Sequence, residues 1–328
     1  MDKSKNKHKI CRDISIALCT CEGSFFLPIQ LESLLSQSLL PAELVISDDS
    51  STDNTVKIVE TFAEKAPFEV RLVVNDKRLG AIQNFNQAME LCRGRYIALC
   101  DQDDIWLPER LANAYQAMYV AEKRFGSSIP LLVHSDLKVV DANCDLVSPS
   151  FMKMHRIRHI KSQPLNKLLA QNFVTGNTVL INQPLLKVAL PLSNDAKMHD
   201  WWLALVAAAL GKIIFIEKPT VLYRQHDRNL IGASSFISLK SFKKVVDLAG
   251  LEKEVIGAIK QAEALQSHLH KMNYDFPTWL DDYLLALKKG RVIAFITALR
   301  YGVLKQGISR NIFYLGVILK GTYIRYFD

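Results

Sequence analysis

Asp101, Asp103 and Asp104 place three carboxylates within four residues, in the run Asp101-Gln102-Asp103-Asp104-Ile105-Trp106. Acids this close repel one another unless a positive charge sits among them. A hard divalent cation, which takes oxygen ligands, would fill that role. Taken alone, the run reads equally well as a solvated Asp-rich turn. Its flanks weigh against that. Arg95–Cys100 is a short apolar run with the character of a buried strand, and Leu107-Pro108-Glu109 opens a helix with Pro near the first turn. The acids therefore fall at the carboxyl end of a strand, the edge where open α/β sheets bind ligands.

Two further acidic positions bear on chemistry. Asp48-Asp49 ends the apolar run Leu44–Ser47, and if both strands are central the two acidic loops meet on one edge of a sheet. Asp200 stands at the start of a strongly apolar helix, where it reads either as an N-terminal cap or as a working carboxylate. The adjoining Trp201 and Trp202, and Trp106 beside the acidic run, suit either stacking on a ring or core packing.

The elements that position these residues alternate. Strands are expected at 14–19, 44–47, 70–74 and 96–100. Between them lie helices whose apolar faces carry Leu27, Leu31, Leu34 and Leu35, then Val56, Val59, Phe62 and Ala63, then Ile82, Phe85, Met89 and Cys92. Such alternation predicts a mostly parallel sheet flanked by helices, an α/β fold. Further strands are expected at 131–135, 138–140 and 213–216, with a glycine turn and strand over 175–181 and a helix opening at His199. The polar stretch 148–163 reads as a mobile loop over a site or as an ordinary surface loop. Tyr223–His226 closes the globular part, with Asn229 and Gly232 following. No glycine-rich phosphate loop follows the first strand and no G-x-x-x-x-G-K-[ST] occurs, which argues against a dinucleotide-dependent dehydrogenase and a P-loop nucleotidase.

The 328 residues are 49% hydrophobic and 23% charged, ordinary for a folded protein. The formal charge of +8 is uneven. Residues 1–12 carry five Lys/Arg against one Asp, residues 284–328 carry eight against one, and the middle is net acidic. A nucleic-acid binder concentrates its basic residues on the folded module; here they sit at the two ends, which suits an anionic membrane surface better. The six cysteines show no metal-ligand spacing and read as reduced thiols of a cytoplasmic protein. No signal peptide is recognised, and the longest apolar run, Trp201–Leu210, is too short to span a bilayer. Three regions are expected: a basic, disordered tail over 1–12; an α/β domain over 13–235 with halves 13–125 and 126–235; and a helical, basic, amphipathic region over 236–328. In that last region, helices are expected at 238–272, 279–288 and 291–305, followed by an apolar segment with scattered basic residues over 310–326. Val292, Ile293, Phe295, Ile296, Leu299 and Val303 form one apolar face flanked by Arg291, Arg300 and Lys305. Such a face fits a membrane interface, the catalytic domain or a second subunit.

The run Ile16–Cys21, then Ile46–Asn54, then Asp101–Asp104 resembles the nucleotide-sugar-binding half of family 2 glycosyltransferases. The likeness extends over about residues 13–232, and His199–Trp202 with Tyr223–His226 is similar to the bacterial rhamnosyltransferase-like branch. It implies the GT-A fold, a Rossmann-like mixed sheet. It implies that Asp48 and Asp49 hold the base and ribose, with Thr20, Glu22, Asn84 and Gln102 also along the nucleotide sugar. Asp101 and Asp103 match the Asp-x-Asp motif, Asp103 binding a metal, Mg2+ or Mn2+, and Asp101 the ribose or the metal. His226 matches the position that completes the metal or diphosphate site. Asp200 matches the catalytic base, although the family usually has Glu before it and this chain has His199. Gly176, Asn177, His199, Trp201 and Trp202 fall around the acceptor. The Gln-x-x-Arg-Trp motif of processive members is absent, so addition of a single sugar is expected.

The expectation is therefore a metal-dependent, inverting glycosyltransferase on the inner face of the cell membrane, free of nucleic acid. Its donor would be a nucleoside-diphosphate sugar, dTDP-L-rhamnose or alternatively a UDP-hexose or UDP-N-acetylhexosamine. Its acceptor would be a cell-surface glycan or a lipid-linked precursor. A homo-oligomer is compatible with the sequence. Two rivals are a nucleotidyltransferase, disfavoured because Thr20–Ser24 has one Gly and no basic residue, and a non-catalytic glycan- or partner-binding protein of the same fold.

Overall fold

The computed structural model describes residues 9–226 and 248–327. Asn229, Gly232 and the stretch 238–247 lie outside them. Among the described residues, seven strands form one mixed sheet in the order 212–216, 131–135, 180–182, 96–101, 14–20, 43–48, 69–74. All neighbours are parallel except Leu180–Asn182, which runs antiparallel to both its partners. The first strand, Ile14–Thr20, is buried at every position. Helices cover both faces of the sheet there, so the sequence needs an unbroken apolar run and not an alternating one. The strand Glu69–Val74 closes one edge and is only half-buried.

The chain lays Glu43–Asp48 on one side of Ile14–Thr20 and later returns to lay Tyr96–Asp101 on the other. That reversal opens a crevice at the carboxyl ends of the strands, the place where such sheets take ligands. One face is covered by helices Leu27–Leu35, Thr55–Ala63 and Arg110–Phe125, which bury Leu27, Leu31, Val59, Leu111 and Met118. The other is covered by Ala81–Leu91, Gln183–Ala189 and His199–Leu210. A small sheet of four short strands, 146–148, 138–140, 221–224 and 105–106 in that order, stands beside the crevice.

Helices Leu248–Lys271, Trp279–Lys289, Arg291–Arg300 and Ile308–Lys320 follow. Val255, Leu265, Leu284, Ala298 and Ile318 join the same core as Trp202 and Leu205. Helix 291–300 buries its small residues, Ala294 and Ala298, and leaves Val292, Ile293, Ile296 and Leu299 exposed. It ends at Arg300, short of the expected 305, because Gly302 turns the chain with φ +65°.

Two expectations need correction. The disordered tail does not extend through residue 12: Lys9–Ile10 pairs in parallel with Leu39–Leu40, and the buried Cys11 donates its N–H to Leu40 O at 2.8 Å. The stretch 148–163 is also more structured than a loop. It holds the helix Phe151–Met154, capped by Ser150 Oγ, and its carbonyls at His155 and Arg156 accept hydrogen bonds from Arg310.

Candidate active site

Thr20 pairs in register with Asp48, and Cys19 with Asp101. Sheet register thus brings both acidic loops to one edge, as their positions at strand ends require. Asp48 accepts hydrogen bonds from Thr20 Oγ1 at 2.6 Å, Ser51 N at 2.8 Å and Ser51 Oγ at 2.7 Å. Asp49 accepts from Leu79 N at 2.6 Å and Gly80 N at 2.9 Å, ahead of helix Ala81–Leu91. Both carboxylates therefore order the loops that wall the crevice. Glu22, left-handed at φ +49°, pairs with Arg78 at 2.6 Å and accepts from Thr52 N. Gln102 exchanges two bonds with the Cys21 backbone, at 2.9 and 3.0 Å. This contact requires Gly23, since a Cβ there would meet Gln102 Oε1 at 2.1 Å.

Asp103 Oδ2 lies 3.0 Å from His226 Nε2. The imidazole is stacked on Phe26 with ring centroids 4.3 Å apart. Asp101 shares this space. Burial first, then the neighbouring Asp103 and Asp200 charges, push its carboxyl up to about 8. Asp104 points inward and is a framework residue, accepting from Asn177 Nδ2 and from Arg224 N at 3.2 Å. Burial, then Asp103 and Asp101, raise its carboxyl strongly. Arg224 also donates from Nε to Asp103 O at 3.1 Å and lies over the Phe26 ring. Beneath the acids, the buried Arg110 stacks on Trp106 at 3.8 Å and donates to the carbonyls of Asn177 and Val179.

Asp200, at the start of helix His199–Leu210, faces the same crevice and is close enough to raise Asp101. Burial lifts its carboxyl to about 6, against hydrogen bonds from Trp201 N, Gly176 N and the Asn172 side chain. A carboxyl titrating there is suited to proton abstraction near neutrality. His199 is buried, stacked on Phe85 with centroids 3.7 Å apart, and held near pKa 3 by burial. Among the described residues neither of its ring nitrogens has a hydrogen-bond partner. Its Nε2 aims at Gly176, where a Cβ would stand only 2.7 Å away.

Several expected contacts are structural instead. Asn84 is fully engaged with Ser47, Asn75 and the Thr20 carbonyl, so its amide has no capacity left for a nucleotide. Trp202 is wholly buried and donates its indole N–H to Ala189 O at 3.0 Å. Trp201 does the same to Leu168 O at 2.7 Å, and both belong to the core. Asn177 is buried, its Nδ2 donates to Asp104 and its backbone carbonyl accepts from Arg110, while its Oδ1 has no partner among the described residues. Phe26, Asn172 and Arg110 were not singled out from sequence. Arg224 was visible only as part of the Tyr223–His226 run; Asn172 carries no local signal at all.

The chain has relatives in sequence and in fold. Residues 15–125 match the family model Glycosyl transferase family 2. A dTDP-rhamnosyl transferase of Shigella flexneri, RfbG, is 30% identical over 243 residues, 70% of this chain and 78% of that protein. An Escherichia coli protein, WfgD, described as a UDP-Glc:α-D-GlcNAc-diphosphoundecaprenol β-1,3-glucosyltransferase, is 32% identical over 189 residues, 57% of this chain and 68% of its own. The crystal structure of Staphylococcus aureus TarS 1–349 in complex with UDP superposes with a TM-score of 0.52 at 16% identity, covering 96% of this chain and 90% of that one. The chain belongs to the family 2 glycosyltransferases, its fold is GT-A, and it is a glycosyltransferase.

Proposed function

We propose that the protein is a metal-dependent, inverting transferase that moves one sugar from a nucleoside-diphosphate donor to a lipid-linked glycan precursor at the inner face of the cell membrane. The observation that carries this reading is the Asp103–His226 pair, 3.0 Å apart, beside Asp101, whose carboxyl senses both Asp103 and Asp200.

The donor set fits a divalent cation of modest protein ligation. Among the described residues no group of three or more His, Cys, Asp or Glu side chains is placed to hold a metal ion. Asp103 and His226, 3.0 Å apart, instead offer an open two-donor set. Mg2+ is commonly held in that way, by one or two carboxylates together with substrate phosphates; Mn2+ accepts the same oxygen donors. The ion would stabilise negative charge on the departing diphosphate. Loops ordered by Asp48, Asp49, Glu22 and Gln102 wall the nucleotide's crevice. Asp200 removes the proton from the attacking acceptor hydroxyl, and attack opposite the leaving group inverts the anomeric carbon. His199 is buried between Phe85 and Gly176 and supports the wall beside Asp200.

The RfbG likeness favours dTDP-L-rhamnose as donor; the WfgD likeness supports a UDP-hexose as the second reading. WfgD's described acceptor, a lipid diphosphate, suits the exposed apolar face of Val292, Ile293, Ile296 and Leu299. Among the described residues no helix is long and apolar enough to cross a membrane, so contact would be at the surface. The test is thermal stabilisation by dTDP, UDP and GDP with and without Mn2+ or Mg2+, since only ligands preferring the native form raise the melting temperature. A larger metal-dependent shift with dTDP is expected. A larger shift with UDP overturns the rhamnosyl donor, and no shift with any diphosphate overturns the site.

A further inference from the structure

A concave pocket of about 300 Å³ lies apart from the acidic crevice, between Arg156–Ile160, Lys167 and the turn Lys305–Gly307. Its walls are built. Gln306 clasps the Arg158 backbone from both sides, accepting its N–H at 2.8 Å and donating to its carbonyl at 2.9 Å. The Gln306 N–H donates to Gln171 Oε1 at 2.7 Å. Arg310 ties the same loop through the carbonyls of His155 and Arg156.

Four cationic side chains line the pocket: Arg156, Arg158, Lys167 and Lys305. Lys305 is compensated by Glu254 at 2.7 Å. Among the described residues, no ion pair involves Arg156, Arg158 or Lys167. The crowding is felt: burial and then Arg158 lower the Lys167 ammonium, and burial and then Arg156 lower the Arg310 guanidinium. Like charges held together in a concave site attract an anion with several acceptor oxygens.

An apolar ridge begins where the pocket ends. Ile308, next to the lining Gly307, is 83% exposed, and Ile312 one turn later is 66% exposed. Val292, Ile296 and Leu299 stand exposed on the preceding helix. Exposed aliphatic side chains beside basic ones are the pattern of a lipid surface contact. The pocket also connects to the base. Lys167 lies on helix Pro164–Leu168, whose Leu168 carbonyl holds Trp201, and Asn172 just beyond holds Asp200.

We propose that this basic pocket seats the diphosphate of a polyprenyl-diphosphate-linked acceptor while the apolar ridge rests in the bilayer surface. The proposal rests on the lipid-linked acceptor reading above and specifies where that acceptor is held. The enzyme then grips its acceptor at the lipid end, and the growing sugar end extends to Asp200.

The test is cosedimentation with phosphatidylcholine vesicles carrying either a polyprenyl diphosphate or phosphatidylglycerol at matched charge. The wild type should bind the diphosphate vesicles about tenfold more tightly. The double variant Arg156→Ala/Arg158→Ala should lose that preference, while its stabilisation by a nucleoside diphosphate with metal stays intact and shows that it is folded. Equal binding to both vesicles overturns the proposal, because the patch is then a general anionic-lipid contact. A double variant that keeps the preference also overturns it, placing the diphosphate elsewhere. Failure of the nucleotide stabilisation in the wild type would instead bring down the donor site and leave the vesicle result readable.

Discussion

The His226 imidazole lies 3.0 Å from the Asp103 carboxylate although the two residues are 123 positions apart in the chain. The small sheet makes this contact. Val221–Arg224 pairs antiparallel with Ile105–Trp106, which directly follows the acidic run, and Arg224 N and Nε bind Asp104 Oδ1 and Asp103 O. The acidic loop and the end of the transferase core are thereby fixed to one another before any ligand arrives.

Replacing Asp103 with Asn, or His226 with Ala, should remove the metal-dependent part of nucleotide binding. Lewis-acid stabilisation of the leaving group is worth several kcal/mol, so transfer should fall by about a thousandfold. Both side chains are partly solvent-accessible, and the melting temperature without ligand should change little. Titration of wild type and variants with Mn2+ in the presence of a nucleoside diphosphate checks this. Unchanged metal dependence in Asp103→Asn would remove the assignment.

Much of this was legible because parallel strands buried on both faces leave long apolar runs. The four strands ending at Thr20, Asp48, Val74 and Asp101 could be placed within a residue or two, and the acids at their ends followed. What sequence could not supply was long-range or short-stranded. The strands at 138–140 and near 180 show in the sequence, but not the antiparallel insertion of Leu180–Asn182 at the sheet centre, and the other small-sheet strands, 105–106, 146–148 and 221–224, are too short to show a period. Asn84 and Trp202 carry the right chemistry for ligand binding. Only the partners Ser47 and Ala189, brought by folding, show that they are spent.

Asp200→Asn should lower kcat by about 10²- to 10⁴-fold, the usual range for a general base. The base acts when deprotonated. With its carboxyl lifted to about 6, kcat/KM of the wild type should therefore fall about tenfold per unit as pH drops below that value and level off above it. The residual activity of Asp200→Asn should lack this limb. A limb that persists unchanged in the variant would assign the titration to another group.

Gly176→Ala tests the wall between base and acceptor. The new Cβ would stand 2.7 Å from His199 Nε2 and 3.5 Å from Asp200 Cβ, and the imidazole is already pinned by Phe85. Overpacking of this kind costs about 1–3 kcal/mol. The expected outcome is a lower melting temperature and a lower kcat, with nucleoside-diphosphate affinity unchanged. A variant with wild-type kcat would show that His199 and Asp200 tolerate displacement.

The buried His134 and the half-buried His159 form a pair, Nε2 to Nδ1 at 3.1 Å, wedged against Phe173 and Phe215. Burial, then the partner, holds His134 well below 6.5, and burial, then Lys161, brings His159 to about 4. Below pH 6.5 the unfolded chain gains protons that the native pair refuses, so this pair's contribution to stability falls as pH falls, by about 1.4 kcal/mol per unit per histidine. Asp200, raised in the native state, binds its proton more readily when folded and works in the opposite direction between about 4 and 6. The two effects separate in a difference measurement. Unfolding of His134→Gln and wild type by urea across this range isolates the histidine part, because the Asp200 contribution is common to both. The stability gap should shift in favour of the variant as pH falls from 6.5. A gap independent of pH would mean that the pair protonates in the native state.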